Sequence, residues 1–502
     1  MTWKSSPSRR RKRGKAVAVS LARLIGPDAA VPPGAANLIV KGLTADSRAV
    51  KPGFLFAALP GSATDGAKFV PQALANGATA VLGAEGLAAT GVPVVAVSNP
   101  RRVFALMAAR FFGRQPDLIV AVTGTSGKTS VATFVREIWT EMGFRAASLG
   151  TVGVISPSGT IELEHTTPDP VKLHEIVCQL AADHVEHLAL EASSHGLDQY
   201  RLDGLRIAAG GFTNLSHDHL DYHPTADDYF DAKMRLFEEL LPPGATAVIN
   251  VDSERGRQAA ERCKARGLDL WTVGREGEAI RILDVAREGS GQRLDVTVKG
   301  RRYLIELPLV GDFQASNALI AAGLVLGTGG DEKLVIHALR SLKGARGRLE
   351  LAGRSSAGAP VFVDYAHKPD ALENALGALR PYTRGRLHVV FGCGGDRDRA
   401  KRPIMGEIAA RLADTVYVTD DNPRSEDPAA IRAAIMASAP GAIEIGNRAE
   451  AIRAAVEALR EGDVLLVAGK GHEEGQKIGA KVIPFSDHAA VKAAVEGVDY
   501  HG

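Results

Sequence analysis

The stretch from Leu118 to Gly143, LIVAVTGTSGKTSVATFVREIWTEMG, constrains this chain more than any other. An apolar run leads into a glycine-rich turn and then into an amphipathic helical pattern, so strand, loop and helix follow one another. Backbone N–H groups of such a loop, with the N-terminus of the helix, can surround phosphate oxygens. Lys128 would bring a cation to the β- and γ-phosphates, and Thr129 a hydroxyl to a magnesium ion. The spacing departs from the common G-x-x-x-x-G-K-[ST] pattern, because Val122 stands where its first glycine would be and Gly124 is the first here. The pattern alone indicates a nucleotide phosphate and leaves the reaction open. Without its flanks it would also suit a helix-capping glycine turn that holds no ligand.

A chain of 502 residues suggests several domains. The first block, residues 1–98, contains the short apolar runs GFLFAAL, ATAVLGA and VPVVAVS and reads as a small α/β unit after a basic tail. The second, residues 99–345, opens with the helical pattern RRVFALMAARFFG and continues through strand candidates spaced by helices, which implies a parallel sheet. The third, residues 346–502, carries PVFVDYAH, RLHVVFGCGG, DTVYVTDDNP and DVLLVAGKGH, strand candidates that end in polar or glycine-rich loops. That is the pattern of a doubly wound, Rossmann-like sheet, whose ligands bind at the carboxyl ends of the strands.

Net charge is only +2, and much of the positive charge sits in the head SSPSRRRKRGK. A globally basic nucleic-acid binder is therefore not indicated. The apolar stretch after that head is short and is interrupted by Arg23, so a disordered tail is expected rather than a signal peptide. No apolar run is long enough to span a membrane. Three scattered cysteines, Cys178, Cys263 and Cys393, argue for a reducing, cytoplasmic compartment and against a disulfide framework.

The compact TGTSGKT loop resembles that of the Mur ligases and the related folylpolyglutamate synthases. TADSR, TTPDP, EASSHGLDQYR, TNLSHDHLDYH, DYAHKPDAL, GCGGDRDRAKRPIM, DNPR and GKGHE then occur in the order of the diaminopimelate-adding Mur ligases. The resemblance covers nearly the whole chain. It implies three α/β domains: a small N-terminal one for a UDP-linked acceptor, a central P-loop ATPase-like parallel sheet, and a C-terminal Rossmann-like domain for the amino acid. It also implies amide formation through an acyl phosphate, with ATP as co-substrate and two Mg²⁺ ions, by a monomer acting on small molecules.

Residue roles follow from the same resemblance. Gly124, Thr125, Ser126, Gly127, Lys128, Thr129, Ser130, Asn317 and Arg348 are expected to bind ATP, with Lys401, Asp364 and His367 near the nucleotide and its phosphates. Thr129 and Glu191 would hold one Mg²⁺, and His219 with a carbamylated Lys233 a second. Lys128, Glu191, His219 and Lys233 form the expected catalytic set. Taken alone, Lys233 would be an ordinary surface lysine, Glu191 a structural carboxylate at a strand end, and the histidine run a zinc candidate without cysteine partners. Ala45, Ser47, Thr166, Thr167, Ser193, Gln199 and Arg201 match contacts to the UDP-linked acceptor, although Thr166 and Thr167 alone also fit ordinary turn chemistry before Pro168. Arg397, Asp421, Asn422, Pro423, Arg424, Gly469 and Glu473 match the diaminopimelate pocket. The Arg424 guanidinium suits a carboxylate bidentately, Pro423 aims it, and Glu473 suits an ammonium. DNPR alone would be a plain turn. The chain departs from the family pattern at His165 and Gln314, where asparagine is usual, and at Ser62, Ala63 and Thr64, where a more polar stretch is usual.

Competing readings stay distinguishable. A folylpolyglutamate-type ligase would lack the N-terminal block and the DNPR loop. A P-loop switch or motor would hydrolyse ATP without an acceptor. A non-catalytic binder would not need Lys128, Thr129, Glu191, His219 and Lys233 together.

Overall fold

The computed structural model describes residues 18–61, 65–88, 91–216 and 222–500. The basic tail, residues 62–64 and residues 217–221, and with them His219, lie outside the described residues.

In the first block four parallel strands, Gly42–Thr44, Phe54–Ala58, Ala78–Ala84 and Val94–Val97, form one sheet. The helix Pro100–Phe112 is capped by the Asn99 side chain, which accepts from Arg102 N at 3.0 Å. Val103, Phe104, Met107, Ala108 and Phe111 recur at helical spacing, and this apolar stripe completes the core beneath that sheet. The helix expected to open the second block thus packs into the first.

The second block is an eleven-stranded sheet. Its parallel centre runs Ala146–Gly150, His187–Glu191, Leu118–Thr123, Ile207–Phe212, Thr246–Asn250 and Asp269–Gly274 across the sheet. Helices cover both faces, which is why the strands read as continuous apolar runs. The sequence reading foresaw only parallel strands. Ile280–Glu288 joins one edge parallel to Asp269–Gly274, and Gly291–Val298 and Arg301–Leu307 then continue it in antiparallel pairs. Their signal is alternation: Gln292, Leu294, Val296 and Val298 are buried while the residues between them are not.

The third block has a six-stranded sheet. Pro360–Asp364, Leu387–Phe391, Thr415–Val418 and Ile443–Glu444 step outward, and the chain then returns to insert Val464–Ala468 between the first two. Helices Pro369–Leu379, Lys401–Leu412 and Pro428–Met436 pack on one face, and Arg448–Glu457 and Asp487–Glu496 on the other. The reversal opens a crevice at the carboxyl ends of the strands, where the DYAHK, GCGGD, DNPR and GKGHE loops emerge.

One helix links the fold to the site. Ala226–Arg235 starts in a capping box between Thr225 and Asp228. It ends at Arg235, whose Nη2 donates to both Asp203 oxygens at 2.8 Å and whose Nη1 donates to Leu197 O at 2.8 Å. The guanidinium lies 3.9 Å from the centroid of the Tyr200 ring. Arg235 and Asp203 are both buried, and removing the carboxylate leaves the guanidinium only the half-exposed Glu239 carboxylate, 2.8 Å from its Nε, at a cost of about 3 kcal/mol. Asp203→Ala should lower the urea-unfolding free energy by about 3 kcal/mol. A loss below about 1 kcal/mol would show that the pair does not anchor this helix.

Candidate active site

The phosphate loop is shaped by contacts that leave no room for side chains. Gly127 has φ 87°, and a Cβ there would overlap Asn317 Oδ1. Gly124 has φ 145°, and a Cβ there would overlap Thr213 Oγ1. Asn214 pins the loop from the neighbouring strand end, accepting from Thr125 N at 2.9 Å through its carbonyl and from Ser126 N at 3.0 Å through Oδ1. The helix Lys128–Glu141 begins directly after Gly127 and has no side-chain cap, so its first N–H groups remain available to an anion. Lys128 Nζ donates to Gly124 O and Thr125 O, both at 2.8 Å.

Glu191 ends the next strand and pairs in register with Val122, directly before the loop. It is 1% exposed. Its Oε1 accepts from Thr151 N at 2.8 Å and its Oε2 from Thr151 Oγ1 at 3.2 Å. Among the described residues no cationic side chain pairs with it. A carboxylate buried without a counter-charge is costly. With the Thr129 hydroxyl in the same cavity it forms the oxygen donor set that a hard divalent cation takes. Lys233, also 1% exposed, reaches the loop from its helix: Nζ donates to Gly124 O at 2.8 Å and lies 4.2 Å from the centroid of the Tyr229 ring. Tyr229 in turn donates to Thr125 Oγ1 at 3.2 Å.

A hydroxyl chain leads away from Glu191. Thr151 Oγ1 and Thr166 Oγ1 are 3.0 Å apart, Thr167 Oγ1 donates to Glu191 O at 3.0 Å, and Ser193 Oγ donates to Thr167 Oγ1 at 3.0 Å. Ser193 also caps the helix Ser194–Asp198. Arg201 donates to Thr167 O at 2.6 Å and, through Nη2, to Gln199 Oε1 at 2.7 Å.

In the third block the DNPR and GKGHE loops are bonded together. Glu473 Oε2 accepts from Asn422 Nδ2 at 2.9 Å and from Lys470 Nζ at 3.1 Å, and Lys470 Nζ also donates to Asn422 Oδ1 at 3.2 Å. Arg424 has φ 53° and is held by backbone bonds to the hairpin Gly475–Ile478 and Lys481–Pro484, donating to Lys477 O at 3.0 Å and accepting from Gly479 N at 2.7 Å. Its Nη1 donates to Gly395 O at 2.8 Å. The sequence reading credited Pro423 with aiming this arginine, but the hairpin clamps it as well. Burial pushes the Asp421 carboxyl above its ordinary range despite Arg448 and Lys470 nearby. Burial acts the same way on Glu473, but the Lys470 ammonium and the bonds from Asn422 and Lys470 hold it below the ordinary carboxylate range.

Two cavities collect most of these groups. One, of about 1390 Å³, is lined by residues Thr125 to Ser130, Thr166, Thr167, Glu191, Ser193, Lys233 and Asn317, and by Arg348, Asp364, Tyr365 and His367 of the third block. The other, of about 810 Å³, lies against the N-terminal block and holds Ala45, Ser47, Gln199 and the Asp169–Lys172 turn. Arg201 lines both. Lys401 reaches the first only indirectly, donating to His367 O at 2.7 Å. The Asp421–Arg424 loop, Gly469 and Glu473 line neither cavity. They adjoin the larger one through Tyr365, whose ring centroid is 4.9 Å from that of His472 and over which Arg348 lies at 5.0 Å. Arg397 is exposed on its loop and joins no other member of its expected set. Sequence reasoning missed Thr151, Asn214, Tyr229, Tyr365 and Lys470. Asn214, Tyr365 and Lys470 lie inside motifs already singled out. Gln314 is the departure that the structure explains: its Oε1 accepts from Asn317 Nδ2 at 3.2 Å and its Nε2 donates to Arg348 O at 3.3 Å, a reach across blocks that a shorter asparagine would lack.

Three family descriptions match the chain in order. They are the Mur ligase family catalytic domain over residues 39–112, the Mur ligase middle domain over 122–325 and the Mur ligase glutamate ligase domain over 347–471. A UDP-N-acetylmuramoyl-L-alanyl-D-glutamate–2,6-diaminopimelate ligase of Bradyrhizobium diazoefficiens is 58% identical over 95% of this chain and 99% of its own length. A solved structure of a ligase of the same name has 32% identity and a TM-score of 0.73, covering 96% of this chain and 99% of that one. A folylpolyglutamate synthase of Mycobacterium tuberculosis shares the fold at 19% identity and a TM-score of 0.58, over 71% of this chain and 89% of its own. From its phosphate loop to its carboxyl-terminal sheet, the chain belongs to the Mur ligase family.

Proposed function

We propose that this chain is the ATP-dependent ligase that joins meso-2,6-diaminopimelate to UDP-N-acetylmuramoyl-L-alanyl-D-glutamate in peptidoglycan precursor synthesis. The observation that carries the reading is the larger cavity, in which the phosphate loop, the Thr166–Thr167 wall and Arg348, Asp364 and Tyr365 of the third block face one space. The folylpolyglutamate alternative is weaker, because that relative covers only 71% of this chain and the N-terminal block and DNPR loop have a use here.

In the first half-reaction an acceptor carboxylate oxygen attacks the γ-phosphorus of ATP, the bond to the bridging oxygen breaks and ADP leaves. In the second, an amine nitrogen of diaminopimelate attacks the acyl carbon and inorganic phosphate departs with the carboxylate oxygen. Little covalent chemistry falls to the protein, whose work is positioning and charge neutralisation. Lys128 would turn from its own loop carbonyls to the phosphates. Thr166, Thr167, Ser193 and Arg201 would hold the acceptor, with Ala45, Ser47 and Gln199 on its nucleotide end. Arg424 would bind the distal carboxylate of diaminopimelate and Glu473 an ammonium.

Thr129 and Glu191 would hold one Mg²⁺, and a carbamylated Lys233 a second, with His219 as a further ligand of that second ion by resemblance. When bound, such ions screen the phosphate charge. Carbon dioxide on Lys233 Nζ would replace a cation beside the phosphate loop with an anion, matching the uncompensated carboxylate of Glu191 across the same cavity.

Phosphate release from ATP should require acceptor and diaminopimelate together, and sustained release without either would contradict the ligase reading. Arg424→Ala should raise the KM for diaminopimelate about tenfold or more while changing that for ATP less than about twofold, since one charge-assisted bidentate contact is lost. Equal losses for both substrates would remove Arg424 from the amino-acid pocket. Lys233→Ala should fall to below about 1% of the parent kcat, and added short carboxylates should restore part of it. Full activity of the unsupplemented variant would exclude the carbamate.

A further inference from the structure

We propose that Lys470 is a positioning residue of the amino-acid pocket: one buried ammonium ties Asn422 to Glu473 and commits Glu473 Oε2 to the protein, leaving Oε1 as the acceptor for the substrate ammonium. The inference rests on the reading above, which places the amino acid between the DNPR and GKGHE loops.

Lys470 follows the strand Val464–Ala468 and is fully buried, whereas Glu473, one helical-turn spacing further on, is 34% exposed. A buried lysine has to spend its donors on acceptors near it. Lys470 Nζ spends them on Asn422 Oδ1 at 3.2 Å and Glu473 Oε2 at 3.1 Å. Asn422 closes the triangle by donating Nδ2 to the same Glu473 oxygen at 2.9 Å, while its Oδ1 also accepts from Lys477 N at 2.8 Å. Glu473 Oε2 therefore receives two donors, and Oε1 accepts no hydrogen bond from the described residues. A carboxylate fixed by one oxygen presents the other in one direction.

The foundation below is equally rigid. Arg448 and Asp487 are both fully buried, and Arg448 donates to the Asp487 carboxylate at 2.7 and 2.8 Å and to Ala468 O at 2.9 Å, the residue that ends the strand before Gly469 and Lys470. The charged or titratable groups facing Glu473 are Lys470 and His472 on its own loop, Asp421 on the DNPR loop, Tyr365 on the neighbouring strand end and Arg448 from the helix beneath. Burial favours a protonated Glu473, and the Lys470 ammonium opposes it most, helped by the bond from Asn422 and by His472. Without the ammonium Glu473 would take up a proton at a higher pH, and a protonated carboxyl no longer attracts an ammonium.

The test compares the full-length enzyme with Lys470→Met, at saturating ATP and acceptor, with diaminopimelate varied over a range of pH. The variant should show a KM for diaminopimelate raised about tenfold or more, a KM for ATP within about twofold of the parent, and an acid limb of kcat/KM moved to higher pH. In the double variant Lys470→Met/Glu473→Gln the loss should be no larger than in Glu473→Gln alone, because Lys470 acts through that carboxylate. An unchanged acid limb, an additive double variant, or an equal fall in every kinetic constant would overturn the proposal. Should Lys470→Met fail to fold, Lys470→Gln takes its place, with the same outcomes deciding. If the parent does not use diaminopimelate, the functional reading fails, and Lys470 is judged by the same comparison with whichever amino acid supports phosphate release.

Discussion

Register between two parallel strands is the constraint on which the rest of the structure depends. Because Glu191 stands opposite Val122, a carboxylate and a phosphate-binding loop emerge side by side at the carboxyl end of the sheet. Shifting that pairing by one residue would turn Glu191 to the other face of the sheet and leave the loop without its oxygen partner. The burial of both strands is what prevents the slip, since their apolar side chains are committed to the cores on either face. Function here begins as a packing decision.

The same logic repeats in the third block with a different device. There the chain walks outward through four strands and returns to the interior, so that loops distant in sequence meet at one edge. Lys470 and Glu473 come from the loop after the returning strand, and Asn422 and Arg424 from the loop after Thr415–Val418, the third strand of the outward walk. Their hydrogen bonds join two segments some fifty residues apart, and the buried Arg448–Asp487 pair beneath them keeps that join from flexing.

Much of this was legible in the sequence, for physical reasons. Strands buried on both faces announce themselves as unbroken apolar runs, and loops at their carboxyl ends carry the unusual residues, so the phosphate loop, Glu191, DNPR and GKGHE could all be placed before any coordinates. The antiparallel extension from Ile280 to Leu307 was less visible, because a half-exposed strand alternates and resembles charged linker. The helix Pro100–Phe112 was seen, but not that it packs into the first block's core as well as against the helix Pro170–Ala182 of the second, since an apolar stripe shows that a helix packs and not against what. Lys470 was hidden differently. Burial of a lysine is a property of the tertiary neighbourhood, and nothing in the letters GKGHE separates a buried ammonium from a solvated one.

Arg201 is a wall of both cavities, and the two share no other lining residue. A molecule reaching from one to the other must pass this guanidinium, which is already anchored to Thr167 and Gln199. If the acceptor lies across both, as the proposed function implies, the site would gauge its length. An acceptor that stops short of the far compartment leaves its walls wetted and forgoes the remote binding energy that helps set the reacting end in place. On the proposed reading, selection against incomplete precursors would be built into the spacing of two hollows around one fixed arginine.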